Sequence, residues 1–164
     1  MTSAFIFDLD GTLVDIPINY WAMFSDFKQI MGVEEVRPIL ETVAKITDAQ
    51  TRKRVFDTWE RYELAVLQKT IVHEEGIRIY RAHEDEPKAL VTMQGKKTTK
   101  LIIDKFKLSF NAVITREDSF SRTEQLKTAI EKLNVPLRDI LFVGNMDNDE
   151  KAAKEVGCPF RRIK

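Results

Sequence analysis

Apolar residues follow two rhythms along this chain. Four short, nearly unbroken apolar runs predict buried strands: AFIF (4–7), KALVTM (88–93), NAVIT (111–115) and DILFVGN (139–145). Between and after the last three, apolar positions recur with the helical period, over 96–108, over 123–135 and from Asn148 to a stopping Gly157. A last run, CPFRRI (158–163), predicts a short edge strand, because Pro159 near its start cannot donate to a ladder. Strands alternating with helices predict an α/β fold whose core is a doubly wound parallel sheet with right-handed crossovers.

Residues 16–86 break that rhythm. They hold no convincing strand but several helical patterns, the longest over 48–70, where Val55, Trp59, Tyr62 and Val66 recur at helical spacing. About 70 residues far exceed the roughly 10–12 a crossover needs. The expectation is an inserted helical subdomain at 16–86, with the core formed by 1–15 and 87–164.

Composition narrows the class. Of 164 residues, 43% are hydrophobic and 32% charged, as expected for a folded globular chain. Basic and acidic residues balance at 26 each, so no global field favours nucleic acid or an anionic membrane as partner. Divided, the insertion carries 10 basic and 13 acidic residues and the rest 16 and 13, a slightly positive core suited to an anionic ligand. Cys158 is the sole cysteine, and Asp8 and Asp10 interrupt the first apolar run before it could serve as a signal peptide. No segment reaches the roughly 18 consecutive apolar residues of a membrane helix. These features predict a cytoplasmic protein, monomeric or homodimeric.

The chemistry gathers at strand ends. In open α/β sheets, ligands bind beyond the carboxyl ends of the strands. Polar clusters follow all four runs: Asp8 and Asp10, then Thr92, then Thr115 to Arg122, then Asn145 to Asp149. Asp8 and Asp10 repel each other unless a cation offsets them, and Asp147, Asp149 and Glu150 would join them on one rim. Carboxylate and amide oxygens without His or Cys suit Mg²⁺ rather than zinc. A calcium loop is excluded, because Leu13 and Asn19 stand where glycine and glutamate would be required counting from Asp8. A P-loop fails as well, since Leu90 and Lys97 occupy the positions of its glycine and its Ser or Thr.

With these motifs in order, FDLDGTLVD (7–15), the strand ending in Thr92 and ILFVGNMDNDEKAAKEVG (140–157), the chain resembles the haloacid dehalogenase superfamily. The helical insertion falls where its phosphoglycolate-phosphatase-like members carry a cap. The resemblance implies a Rossmann-like core and a Mg²⁺-dependent phosphatase acting on a small phosphorylated metabolite. Asp8 would be the nucleophile forming an aspartyl-phosphate, and Asp10 the acid and base. Dehalogenating members lack an acid at the second place, so Asp10 favours phosphoryl transfer. Thr92, the Met93 backbone and Arg122 would bind the phosphoryl group. The metal ligands would be Asp8, the Asp10 carbonyl, Asn145 and Asp149.

Two positions depart from the family pattern. Arg122 stands at the place of a lysine and Asn145 at the place of an aspartate, which Asp147 would offset by turning inward. Alternatives from the same resemblance are a phosphomutase and a catalytically weak ligand-binding relative. Tyr20 and Trp21 lie where a cap would close. Lys96 and Lys97 open a helix whose dipole disfavours them unless an anion is near. The run Arg52–Arg54 reads as a solvated helix face.

Overall fold

The computed structural model describes residues 1–164. Strand β1 (Ala4–Phe7) occupies the centre of a five-stranded parallel sheet, with β4 (Lys88–Val91) and β6 (Ile140–Gly144) on either side. Beyond them lie β5 (Ala112–Ile114) and β7 (Phe160–Arg162), giving the order β5-β4-β1-β6-β7. From β1 the chain winds one way through β4 and β5, then returns to build β6 and β7 on the other side. The strand order therefore reverses between β1 and β6, a switch point where carboxyl-end loops part and leave room for a ligand.

Side chains alternate across β1 as strand geometry requires. Phe5 and Phe7 face one apolar cluster, shared with Tyr80, Leu90 and Ile102; Ala4 and Ile6 face the other, shared with Leu126, Ala129, Ala152 and Ala153. The first cluster is served by α4 (Glu74–Ala82) and α5 (Lys96–Phe106), the second by α6 (Arg122–Leu133) and α7 (Asp147–Val156). Each fully buried Phe, Leu or Ile contributes roughly 1.5–3 kcal/mol, so covering both faces is what holds the sheet.

The long insertion differs from an all-helical one. It contains α1 (Tyr20–Met31), α2 (Ile39–Ala44) and α3 (Ala49–Ala65), but also a two-residue strand, β3 (Ile71–Val72). β3 pairs antiparallel with β2 (Val14–Asp15), so the segments leading into and out of the helices form one ribbon. His73 Nδ1 lies 2.9 Å from Asp15 Oδ1 across it. The last helix of the expected insertion, α4, is a layer of the core: Tyr80 meets Phe7 edge-on at 5.9 Å and His83 lies 4.2 Å from Phe5. Helices α1 and α3 pack on each other through Phe27 and Trp59, 5.8 Å apart. No helix is long and apolar enough to cross a membrane.

Candidate active site

The polar residues at the switch point converge on Asp8. Its backbone N–H still extends the sheet, donating to Val143 at 3.1 Å, so the carboxylate projects from the very end of β1. That carboxylate is buried, with Oδ1 3.0 Å from Arg122 Nη2 and Oδ2 accepting from the Thr12 hydroxyl at 3.3 Å. Burial, then repulsion from Asp149, pushes its pKa up to about 7 against the opposing pull of Arg122.

Asp10 follows two residues later, fixed from both sides. Its Oδ1 accepts from the Ile16 N–H at 2.9 Å and its Oδ2 from the Tyr20 hydroxyl at 3.3 Å. Burial raises its pKa, and these two donors oppose the rise. Gly11 makes the sharp exit from β1 possible. Its φ is +76°, and a Cβ there would stand 2.2 Å from Asn145 Nδ2, so both backbone shape and space demand glycine.

Arg122 opens α6 just after its N-cap Ser121, whose hydroxyl accepts from the Glu124 N–H at 3.3 Å. From there it spans two carboxylates. Besides Asp8, its Nε lies 2.9 Å from Asp149 Oδ1, an ion-pair contact too bent for a hydrogen bond, and its Nη1 donates to Gln125 at 2.8 Å. Asp149 is fully buried in the first turn of α7; its Oδ2 accepts from the N–H groups of Asn145 and Met146, both at 3.2 Å. Its Oδ1 is left without a hydrogen bond. Asn145 Oδ1 lies 3.4 Å from the Thr12 hydroxyl, which thus stands between Asn145 and Asp8.

Thr92 and Met93 are buried at the carboxyl end of β4. Thr92 Oγ1 accepts from the Gln94 N–H at 3.0 Å, and the Thr92 carbonyl accepts from Gln125 Nε2 at 2.8 Å. Gln125 also bonds the carbonyls of Thr115 and Ser119 at 3.2 and 2.9 Å, tying the loops after β4 and β5 together.

Other candidates lie elsewhere. Asp147 does not turn inward: it is exposed and pairs with Arg162 at 2.6 Å, because the first position of α7 points away from β6 while the third points back. Lys96 and Lys97 are exposed and form no ion pair with the site. Arg52 stacks 5.3 Å over Phe56 and Lys53 pairs with Asp57 at 2.6 Å, a solvated helix face as expected. Trp21 is exposed beneath the Arg37 guanidinium, 5.6 Å away. The residues not singled out from sequence are Thr12, Gln125 and a buried pair, Glu63 and Arg116. Glu63 carried a readable signal: it is an acid four residues after Trp59 on the apolar stripe of α3.

The fold and site together define a doubly wound α/β protein with an acid pair at its switch point and a helical cap inserted after the first strand. Residues 5–163 match the haloacid dehalogenase-like hydrolase family, and the chain belongs to it. Phosphoglycolate phosphatases from Shigella dysenteriae serotype 1 and Escherichia coli O157:H7 are each 26% identical over 93% of this chain and 77% of their own length. A haloacid dehalogenase-like family hydrolase from Streptococcus pneumoniae superposes with TM-score 0.72 at 17% identity, covering 99% of this chain and 85% of that one. CbbY from Rhodobacter sphaeroides, solved in complex with phosphate, superposes with TM-score 0.69 at 16% identity over 98% and 85% of the two chains.

Proposed function

We propose that this hydrolase is a Mg²⁺-dependent phosphatase of a small phosphorylated metabolite, with α1–α3 as the cap over its site. The observation that carries the reading is the pair Asp8 and Asp10. One carboxylate is buried against a guanidinium at the strand end; the other is held by the Tyr20 hydroxyl and the Ile16 amide.

Asp8 attacks phosphorus in line, forming the aspartyl-phosphate as the P–O bond to the leaving group breaks. Asp10, whose raised pKa suits it to hold a proton, gives that proton to the leaving oxygen. Asp10 then takes a proton from the water that attacks phosphorus, which frees inorganic phosphate and restores the Asp8 carboxylate. Arg122 orients Asp8 and meets the phosphoryl oxygens, assisted by the Thr92 hydroxyl and the Met93 amide.

The donors suit magnesium by chemistry. The candidates are oxygens of Asp8, Asn145 and Asp149 with the Asp10 carbonyl, and the buried Asp149 Oδ1 accepts no hydrogen bond, its close polar neighbour being Arg122 Nε at 2.9 Å. No three His, Cys, Asp or Glu side chains form a ready-made ion site, since one donor is an amide and another a backbone carbonyl. A bound Mg²⁺ would supply charge neutralisation between the Asp8 carboxylate and the incoming phosphoryl oxygens.

Hydrolysis of p-nitrophenyl phosphate, with and without Mg²⁺, tests the reading. Turnover should require the ion and vanish in Asp8→Asn. Equal rates from wild type and variant would remove Asp8 from its role, and no turnover across a panel of phosphometabolites would remove the phosphatase reading.

A further inference from the structure

The cap and the core share one fully buried ion pair. Glu63 on α3 and Arg116 just after β5 are both 0% exposed, and their side chains meet twice, Nη1 to Oε2 and Nη2 to Oε1, each at 3.2 Å. Arg116 is flanked by α3 aromatics, 4.6 Å from the Trp59 ring and 5.1 Å from that of Phe56. Burial raises the Glu63 pKa, and Arg116 only opposes the rise.

Stability alone does not explain this pair. Removing two charges from water costs about as much as their attraction returns, and apolar side chains of similar size often do as well. What the pair holds is more telling. Arg116 Nη1 donates to the Met93 carbonyl at 3.0 Å, and the Arg116 backbone N–H donates to the Gln94 carbonyl at 3.3 Å. Glu63 accepts from the Gly95 N–H, 3.2 and 3.3 Å from its two oxygens, and from the Thr98 hydroxyl at 3.2 Å. Gly95 is required there, because a Cβ would stand 2.8 Å from Arg116 Nη2 and 3.2 Å from Glu63 Oε1. With the Thr92 carbonyl bound by Gln125, every residue of the 92–95 loop is gripped from behind. None of these bonds uses the Thr92 O–H or the Met93 N–H, which the phosphatase reading assigns to the phosphoryl group.

We propose that Glu63 and Arg116 are positioning residues through which the docked cap sets the geometry of the 92–95 loop, coupling cap closure to phosphoryl-group binding. The inference rests on the phosphatase reading only for the identity of the anion. Coupling of this kind is reciprocal: a phosphoryl group that needs the ordered loop must in turn hold α3 down.

Two measurements test it, both with inorganic phosphate and Mg²⁺. In the wild-type protein, saturating phosphate should slow amide hydrogen exchange at Gly95 and along 49–65; unchanged exchange there, with phosphate bound, overturns the proposal. In Glu63→Gln/Arg116→Met, where no unpaired charge is left buried, the dissociation constant for phosphate should rise about tenfold, with KM rising in parallel and kcat changing less than about threefold. A folded double variant that binds phosphate as wild type does reduces the pair to packing and overturns the proposal. Failure of the phosphatase reading would show separately, as absent turnover in the wild type while phosphate still slows exchange.

Discussion

The buried Asp8 carboxylate makes a quantitative prediction about stability. An unfolded chain ionises this aspartate near 3.8, whereas the folded site holds its proton to about 7, first because of burial and then because of Asp149. Between those values the folded state keeps a proton that the unfolded state has released. The stability from this group is therefore intact below about pH 4 and is lost as pH rises through about 7. A shift from 3.8 to about 7 is worth at most roughly 4–5 kcal/mol, at about 1.4 kcal/mol per pH unit. Replacing Asp8 by Asn removes the charge while keeping an acceptor for Arg122, whose attraction is already counted in that shift. The variant should gain at least about 1–2 kcal/mol at pH 8 in EDTA, a Tm rise of about 2–8 °C or more for a chain of this size. Near pH 4 the gain should disappear. Thermal unfolding of both proteins across pH 4–8 in EDTA measures this difference. Saturating Mg²⁺, at about 100 times its Kd, should add about 2.7 kcal/mol to the wild type and much less to the variant. A variant no more stable than wild type at pH 8, or a difference that does not change with pH, would refute the claim that a strained carboxylate is held there.

Two further substitutions probe the supporting residues. Arg122→Lys keeps one positive charge but cannot reach Asp8, Asp149 and Gln125 at once, so kcat/KM should fall about 10–100-fold, measured with p-nitrophenyl phosphate, without loss of fold by circular dichroism. Gly11→Ala meets both a positive φ and the Asn145 side chain; it should cost about 2–4 kcal/mol in urea unfolding and remove most activity.

What was legible in the sequence had local causes. Unbroken apolar runs marked the core strands, and Asp8, Asp10, Thr92, Arg122, Asn145 and Asp149 were visible because each immediately follows a strand or opens a helix. Whether Asp147 joins Asp149 by turning inward was not visible, because it depends on which first-turn positions of α7 fold back on the amides of Asn145 and Met146. The β2–β3 ribbon was missed because two residues per strand are too few for any period to register. The 16–86 insertion appeared uniform because α4 has the same amphipathic pattern whether it faces a cap or a sheet. Glu63 and Arg116 lie 53 residues apart, and only tertiary packing reveals them as partners.

The proposed role of Asp8 as carrier of the phosphoryl group has a direct chemical signature. Borohydride added during turnover reduces an acyl-phosphate to an alcohol, so a trapped aspartyl-phosphate becomes homoserine at its own position. Peptide mass spectrometry should find homoserine at position 8, only when a phosphoryl substrate and Mg²⁺ are both present. Active enzyme with Asp8 unmodified, or homoserine at Asp10 or Asp149 instead, would contradict it.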